Sequence, residues 1–246
     1  MCEAIPAVGE RLWRYNAGGG EESPPPRAGV LSVMPTPHEM PSEKPEGRDE
    51  NRRPVVPLFP LPGLFLVPGM ALPLHIFEPR YKQMIEDLLD GPGRLVIGAV
   101  LKEDEGELAG SPPVHPIAGL GEIGRHERLE DGRFLVLLVG LMRVRIREIT
   151  SDRDYRKVEI EPFEEIPPPL EEEKTLRPRL NDAIRERHEE PVKLPEDIPL
   201  GRLADLLLVQ LDLPQEQMVE LYSRSDVARR AEGVLAAHAL RPPTNE

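Results

Sequence analysis

The stretch from Val55 to Tyr81, VVPLFPLPGLFLVPGMALPLHIFEPRY, limits the possible folds of this chain more than any other part of the sequence. It contains three apolar runs of strand length, separated by Pro-Gly pairs and followed directly by a helix start. The runs are Val55 to Phe59, Leu64 to Val67 and Ala71 to Ile76. Because Pro-Gly pairs favour turns, we predict three short strands joined by tight bends.

A helix is predicted after this stretch, followed by a series of strands. Glu78 and Pro79 suit the start of a helix, because the helix dipole favours an acidic residue there and proline is tolerated at the first position. Apolar residues then recur at helical spacing as far as Leu89, which gives the helix one face for the sheet. Four further strands are predicted at Arg94 to Leu101, Val114 to Leu129, Phe134 to Ile149 and Tyr155 to Phe163.

Two of these strands carry signs of a small closed barrel. Glycines at Gly119, Gly121 and Gly124 indicate bulges or a sharp bend. From Met142 the next strand alternates strictly, which predicts opposite faces for its apolar and basic residues. We expect Met142, Val144 and Ile146 to face the core, and Arg143, Arg145 and Arg147 to face outward opposite Glu159 and Glu161 of a hairpin partner.

The hydrophobic period changes from that of strands to that of helices after the prolines between Ile166 and Pro169. Four helices are predicted beyond this point, of which the third opens at Pro214 and the fourth is capped by Asp226. We therefore expect a β domain over residues 53–166, a helical bundle over residues 167–242, and a short tail at residues 243–246.

Residues 1–52 have a different composition from the rest of the chain. From Gly18 to Arg53 they are dominated by Gly, Pro, Glu and Ser, so we expect a disordered segment. Two interpretations stay open: a regulatory tail, or translation that starts at Met34 or Met40. The first twenty residues lack the apolar core of a signal peptide, and no window has the apolar length of a membrane span, so we expect a cytoplasmic protein without a membrane partner.

Charge and motifs argue against several function classes. The net charge is −13, which disfavours nucleic acid as a partner, and Cys2 is the only cysteine, which leaves no internal disulfide. The sequence has no GxxxxGK[ST] motif for ATP, no HExxH motif and no close His/Asp cluster, so neither a cofactor nor a metal site is predicted. Ser111, in the string AGSP, is interpreted as a turn residue.

Three ordered segments carry a resemblance to a known family. The opening segment, with PLFPL, a Pro-Gly turn, LPL and IFEPRY, resembles the start of the Lon N-terminal domain, and VGLMRVRIREI from Val139 resembles that family's V-x-G-x-x-R-x-x-I strand. The helical end, with Leu203-Ala204-Asp205 and the Asp226-Val227 cap, is similar to the pattern that closes the domain in Lon proteases. The sequence departs from many relatives at Val67, where they carry Phe.

The resemblance implies an α+β fold: a PUA-like, twisted antiparallel β pseudo-barrel with one packed helix, followed by a C-terminal helical bundle. It also implies a stand-alone, non-catalytic module that binds unfolded or apolar polypeptide segments in protein quality control, with an AAA+ protease as a further candidate partner. The candidate contact residues are Leu64, Phe65 and Met70. The other motif residues are interpreted as structural: His75, Glu78, Pro79, Arg80, Tyr81, Gly140 and Arg143.

Two other functions stay open at this stage. The barrel type is shared with RNA-binding modules, although those need a basic face with stacking aromatics and this chain has only 4% aromatic residues. A cryptic hydrolase or peptidase would need a paired nucleophile and base, and the sequence shows no such pair.

Overall fold

A computed structural model describes residues 53–101, 111–188 and 194–241 of the chain. The expected tails lie outside these residues. The strands are β1 (Val55–Pro62), β2 (Ala71–Ile76), β3 (Arg94–Val100), β4 (Ile117–Arg128), β5 (Phe134–Ile149) and β6 (Arg156–Pro162). The helices are α1 (Pro79–Leu89), α2 (Leu170–Arg185), α3 (Leu200–Leu208), α4 (Gln215–Tyr222) and α5 (Val227–Ala239).

The six strands form one sheet that closes on itself. Their order is β2-β5-β4-β3-β1-β6, and β6 also pairs with β5, so five strands make a barrel-like ring to which β2 is added. This confirms the predicted α+β fold with a barrel-like sheet. The sheet is mixed, however, because β1 and β3 are parallel. The chain returns from β1 to β3 through β2 and α1, a crossover long enough to bring β3 back in the same direction.

The long strand β5 has two successive partners on one edge. Its first half, Phe134–Val139, pairs with β2, its second half, Val144–Ile149, pairs with β6, and β4 lies along the opposite edge. The register between β4 and β5 shifts at Leu120/Gly121 and again at Ile123/Arg125, as expected from the glycines of β4. The neighbour on the first edge therefore changes between residues 140 and 143.

The predicted outward orientation of the β5 arginines is confirmed for Arg145 and Arg147 and is wrong for Arg143. Arg145 lies opposite Glu161, and Arg147 lies opposite Glu159. Met142, however, is 37% exposed and Arg143 only 3% exposed, the reverse of the expectation. The reason is that Leu141 has no partner on β4, which interrupts the alternation, and that the helices cover the side chain of Arg143.

The segment Leu64–Val67, which we call the crossing segment, is not the strand that its apolar run predicted. Its backbone lies directly on the sheet: a Cβ atom at Gly119 would be 2.3 Å from the carbonyl oxygen of Leu66, and one at Gly140 would be 2.2 Å from that of Val67. From the other side the Tyr222 hydroxyl donates a hydrogen bond to the Leu66 carbonyl, with an oxygen–oxygen distance of 2.8 Å. The crossing segment is thus enclosed between the sheet and α4.

The helices match the sequence prediction closely. α1 starts at Pro79 and buries Tyr81, Met84, Ile85 and Leu88 in an apolar cluster shared with β1, β2, β3 and β5. The four expected C-terminal helices are present, and Asp226 Oδ1 accepts the backbone N–H of Arg229 at 3.0 Å, which caps α5. None of the described helices is long and apolar enough to cross a membrane.

The bundle and the sheet share one hydrophobic core. Phe65, Val67 and Ile117 from the β part lie in the same buried cluster as the apolar residues of α2, α3 and α5. The chain enters the bundle near Ile166, whose backbone N–H donates to the Ser225 carbonyl at 2.9 Å. The division into two domains at residue 166 stays a prediction, since the two parts are packed together without a gap in the core.

Gly140→Ala is expected to destabilise the protein by about 1–3 kcal/mol, because the new methyl group would meet the backbone carbonyl of Val67 and force the crossing segment away from the sheet. Gly91→Ala is the matched control, since its nearest neighbour would lie at an ordinary contact distance of 3.9 Å. Urea unfolding of the two variants measures the difference. Equal stability of both variants would contradict the close approach at Gly140.

Candidate functional site

The three candidate contact residues lie around the crossing segment but differ in accessibility. Leu64 and Met70 are half-buried, whereas Phe65 is only 6% exposed. The ring centroid of Phe65 lies 5.0 Å from that of Tyr222 and 6.3 Å from that of His115. The expected role of Phe65 as a direct contact does not fit this burial, because α4 encloses its side chain. Leu64 and Met70 are the members of this set that reach the surface.

The turn before β2 places a positive charge beside Met70. Gly69 has φ 79°, a conformation that favours glycine, and its Cα faces the guanidinium of Arg202 on α3. A Cβ atom at Gly69 would lie 1.8 Å from Arg202 Nη2. Among the described residues no side chain forms an ion pair with Arg202. The Pro68-Gly69 turn, Met70 and Arg202 therefore form one partly accessible surface of mixed apolar and cationic character.

Several motif residues make local contacts at the start of α1. Glu78 occupies the N-cap position, yet its side chain does not cap the helix and instead accepts a hydrogen bond from Arg80 Nε at 3.0 Å. The Arg80 guanidinium also lies over the Tyr81 ring, 4.7 Å from the centroid. These contacts of Arg80 thus lie within the start of the helix. Pro79 occupies the first helical turn.

His75 lies in the sheet beside an aromatic residue. It is half-buried on β2, with its ring centroid 5.7 Å from that of Phe77. Its Nε2 atom is buried and has no hydrogen-bond partner among the described residues. No group of three or more potential metal ligands is present in the described part of the chain.

The motif arginine of β5 belongs to a buried ion cluster. Arg143 donates two hydrogen bonds to the Asp205 carboxylate of α3, with nitrogen–oxygen distances of 2.9 and 2.5 Å, and one to Glu165 at 3.0 Å. Arg230 of α5 approaches the same two carboxylates, at 3.2 Å from Asp205 Oδ1 and 2.6 Å from Glu165 Oε1. Two arginines and two carboxylates thus connect the sheet, the linker after β6 and two helices.

The charges of this cluster compensate one another, and three of its four side chains are buried while that of Glu165 reaches solvent. Burial alone would lower the pKa of Arg143, but the adjacent Asp205 carboxylate outweighs it, and the pKa is raised above its ordinary value. Arg143 also lies over the Tyr222 ring, 4.6 Å from the centroid. Burial raises the pKa of Tyr222, so its hydroxyl remains protonated and can donate to Leu66. These contacts indicate a structural joint, because they connect the sheet to α3, α4 and α5.

An apolar surface lies on the outside of β2 and β5, and we call it the outer face. Directly opposite residues of antiparallel strands point to the same side, and the pairs here are Ala71 with Val139, Pro73 with Leu137, and His75 with Leu135. Ala71 is exposed, Leu137 is 38% exposed, and the other members are half-buried. Their strand neighbours Leu72, Leu74, Val136 and Leu138 are buried against α1 in the same apolar cluster.

Sequence reasoning missed the role of three buried polar residues. The resemblance includes Asp205 and Arg230 in the helical pattern that closes the domain, but the sequence assigns no contact to them or to Tyr222, although all three form the joint with Arg143. A signal was available, because Asp205 stands within the apolar run LADLLL and Arg230 on the apolar side of its helix. A charge at a buried position of a helical period predicts a buried partner of opposite sign.

Phe65→Ala is expected to lower the free energy of unfolding by about 3–5 kcal/mol, because it removes a large side chain from the core between α4 and the sheet. Leu64→Ala is the control at the adjacent, half-buried position and should cost clearly less. Thermal or urea unfolding compares the two. A Phe65→Ala protein of unchanged stability would show that this ring is not a core residue.

Asp205→Asn is expected to cost about 3–5 kcal/mol of stability, because it leaves two buried arginines with too little negative charge. Glu159→Gln, which breaks the solvent-facing pair with Arg147, should cost at most about 1 kcal/mol. Urea unfolding at neutral pH measures both. Similar losses of stability in the two variants would mean that the buried cluster contributes no more to folding than an exposed ion pair.

Comparison with known proteins places this geometry in a family. Residues 55–237 match the family described as the ATP-dependent protease La (LON) substrate-binding domain. The Lon protease 2 of Sorangium cellulosum is 28% identical over 201 residues, covering 74% of this chain and 24% of that protein. The Lon protease of Desulfovibrio desulfuricans is 24% identical over 183 residues, covering 70% of this chain and 20% of that protein.

Solved structures show the same fold. A Lon N-terminal domain protein from Xanthomonas campestris matches with a TM-score of 0.55 and 22% identity, covering 74% of this chain and 98% of that chain. The N-terminal domain of the Lon protease of Mycobacterium avium complex matches with a TM-score of 0.58 and 18% identity, covering 76% and 100%. The curated relatives are much longer, and this chain spans at most about a quarter of them. The chain belongs to the family of the ATP-dependent protease La (LON) substrate-binding domain.

Proposed function

We propose that this protein is a non-catalytic recognition module that binds exposed apolar segments of polypeptides in protein quality control. The family match over residues 55–237, which includes both the ring and the bundle, carries the proposal, because the family is described by substrate binding. The outer face supports it, since an accessible row of apolar side chains on a sheet is a usual feature of surfaces that bind other polypeptides.

The proposed contact surface combines the outer face with Leu64 and Met70. Leu137 is the most exposed residue of the outer face on β5, and Ala71 and Pro73 lie beside it on β2. Met70 precedes Ala71 at one end of the outer face, and Arg202 lies at the turn before it, so a peptide that extends past this end would meet Met70 and one positive charge. Phe65 supports this surface indirectly, because its ring packs against Tyr222 and anchors the crossing segment.

The non-catalytic role rests on the chemistry that the sequence predicts. It contains neither the phosphate-binding motif of an ATPase nor a paired nucleophile and base for peptide cleavage. The buried ion cluster has its charges satisfied internally and serves the fold. We therefore propose that the chain binds polypeptides and releases them unchanged.

The test uses the full chain and a permanently unfolded probe, reduced and carboxymethylated lactalbumin. Leu137→Gln is expected to weaken binding about fivefold, because it removes apolar contact area from the outer face without disturbing the core. Leu240→Gln, at the exposed C-terminal end of α5, is the matched control and should bind like the parent protein. Fluorescence anisotropy measures binding, and gel electrophoresis after long incubation measures cleavage.

Two outcomes would contradict this function. Absence of binding by the parent protein would exclude a general polypeptide-recognition role. Cleavage of the probe by the purified chain would show that the protein is an enzyme, and the search for a nucleophile would then start from its serines. Equal weakening by Leu137→Gln and Leu240→Gln would move the contact surface away from the outer face.

An AAA+ protease is the partner that we propose for the module. The relatives named as Lon proteases contain a region like this chain within a much longer polypeptide, so a stand-alone copy could deliver bound segments to a separate protease. Size-exclusion chromatography of the full chain mixed with a purified Lon protease tests this partner. Separate elution at micromolar concentrations, with and without an unfolded probe, would exclude a stable complex.

A further inference from the structure

The strand β2 has one hydrogen-bonded neighbour in the described part of the chain. It pairs with β5 along its whole length, from Ala71 opposite Val139 to Ile76 opposite Phe134, and no other strand joins it. The other five strands form the closed ring, in which each has a neighbour on both sides. The sheet therefore has one long free edge, which is the outer edge of β2.

The direction of the backbone groups on β2 follows from the hydrogen bonds at its start. The Gly140 N–H donates to the Met70 carbonyl at 2.9 Å, so Met70 belongs to the set whose backbone groups point towards β5. In an antiparallel ladder this set alternates, and Leu72, Leu74 and Ile76 belong to it as well. The backbone groups of the intervening residues, Ala71, Pro73 and His75, point to the free edge.

The free edge offers a defined pattern of donors and acceptors. Ala71 and His75 each present an N–H and a carbonyl, whereas Pro73 presents a carbonyl alone because proline has no N–H. Proline in a strand is found where its nitrogen faces away from the sheet, which agrees with this assignment. Among the described residues, no backbone group outside the β2–β5 ladder forms a hydrogen bond with the backbone of Ala71, Pro73 or His75.

We propose that the free edge of β2 binds an extended polypeptide segment as an additional strand. This inference rests on the function proposed above and specifies how the segment is held. The unpaired main-chain groups of Ala71, Pro73 and His75 would bond to the main chain of the segment, which any sequence can supply. Its alternate side chains would lie on the outer face beside Ala71 and Pro73, in line with Leu137, so apolar residues at every second position are favoured.

Pro73 limits the strength of this binding. A proline at the centre of an edge removes one donor and discourages long-lived pairing between sheets. The edge would therefore hold a segment by few hydrogen bonds and release it readily. This behaviour suits a module that captures many polypeptides for a short time and does not form a permanent complex.

The test measures binding of a short fluorescent peptide, in which valine alternates with serine, to the full chain. A second peptide of the same sequence carries N-methyl groups on alternate residues, which removes the donors along one of its edges without changing the side chains. We expect the N-methylated peptide to bind about tenfold more weakly. Pro73→Ala should bind the unmodified peptide about fivefold more tightly, because it restores a donor at the edge.

Controls separate this inference from the proposed function. Pro57→Ala changes a proline in β1, which lies between β3 and β6, and should leave binding unchanged. Equal binding of the two peptides, with no gain in Pro73→Ala but a loss in Leu137→Gln, would overturn edge pairing and leave the recognition function intact. Failure of the parent protein to bind either peptide would overturn both. Dimers of the full chain that increase in Pro73→Ala and exclude the peptide would instead assign the edge to a second copy of this chain.

Discussion

The contact between the crossing segment and two glycines of the sheet determines how the rest of the molecule is arranged. The carbonyl groups of Leu66 and Val67 lie so close to Gly119 and Gly140 that any side chain there would displace them. A backbone without strand partners can be buried in this way only if its polar groups find other bonds, and the Tyr222 hydroxyl supplies one. The sheet, the crossing segment and α4 therefore form three layers that depend on one another.

The buried ion cluster lies at the same contact between sheet and helices and fixes the orientation of the helices relative to the sheet. Apolar contacts between the bundle and the sheet would tolerate small rotations, whereas the paired hydrogen bonds from Arg143 to Asp205 require one orientation of α3. Removing Arg143, Asp205 and Arg230 from water is costly, so such a cluster contributes specificity of packing more than net stability. We interpret it as the reason why α3 and α5 lie in one fixed orientation beside Arg143.

Most strands and helices were predicted correctly from the sequence. The exceptions depend on contacts between distant residues, which the periodicity of a sequence does not reveal. β5 was predicted with its observed ends, and the pairing of Arg145 and Arg147 with two glutamates was confirmed, because alternation and charge are local signals. The crossing segment was taken for a strand because its apolar run has strand length, although its burial comes from glycines far along the chain. Arg143 was placed in solvent because alternation cannot register a bulge at Leu141 or a helix above it.

The candidate site was harder to predict for a related reason. Surface residues that bind polypeptides look like core residues in a sequence, and only the pairing of strands separates them. Phe65 and Met70 have similar apolar neighbours in the chain, yet one is enclosed and the other reaches the surface. Leu135, Leu137 and Val139 belong to a continuous apolar run, which does not distinguish a buried strand from one with an exposed face. Their exposure follows from the position of β2 and β5 outside the covered part of the sheet.

The closure of the ring has a consequence for the newly made chain. β1 completes its pairing only when β6 exists, and Val55–Leu58 are separated from their partners Arg156–Glu159 by about a hundred residues. At ordinary rates of synthesis this delay is roughly 5–20 s, during which β1 can pair with β3 through Leu58–Pro62 but its first residues have no strand partner. β1 contains Pro57 and Pro60, which lack the N–H groups that a foreign strand would need. Its prolines can thus keep the strand from pairing with other nascent chains until its own partner emerges from the ribosome.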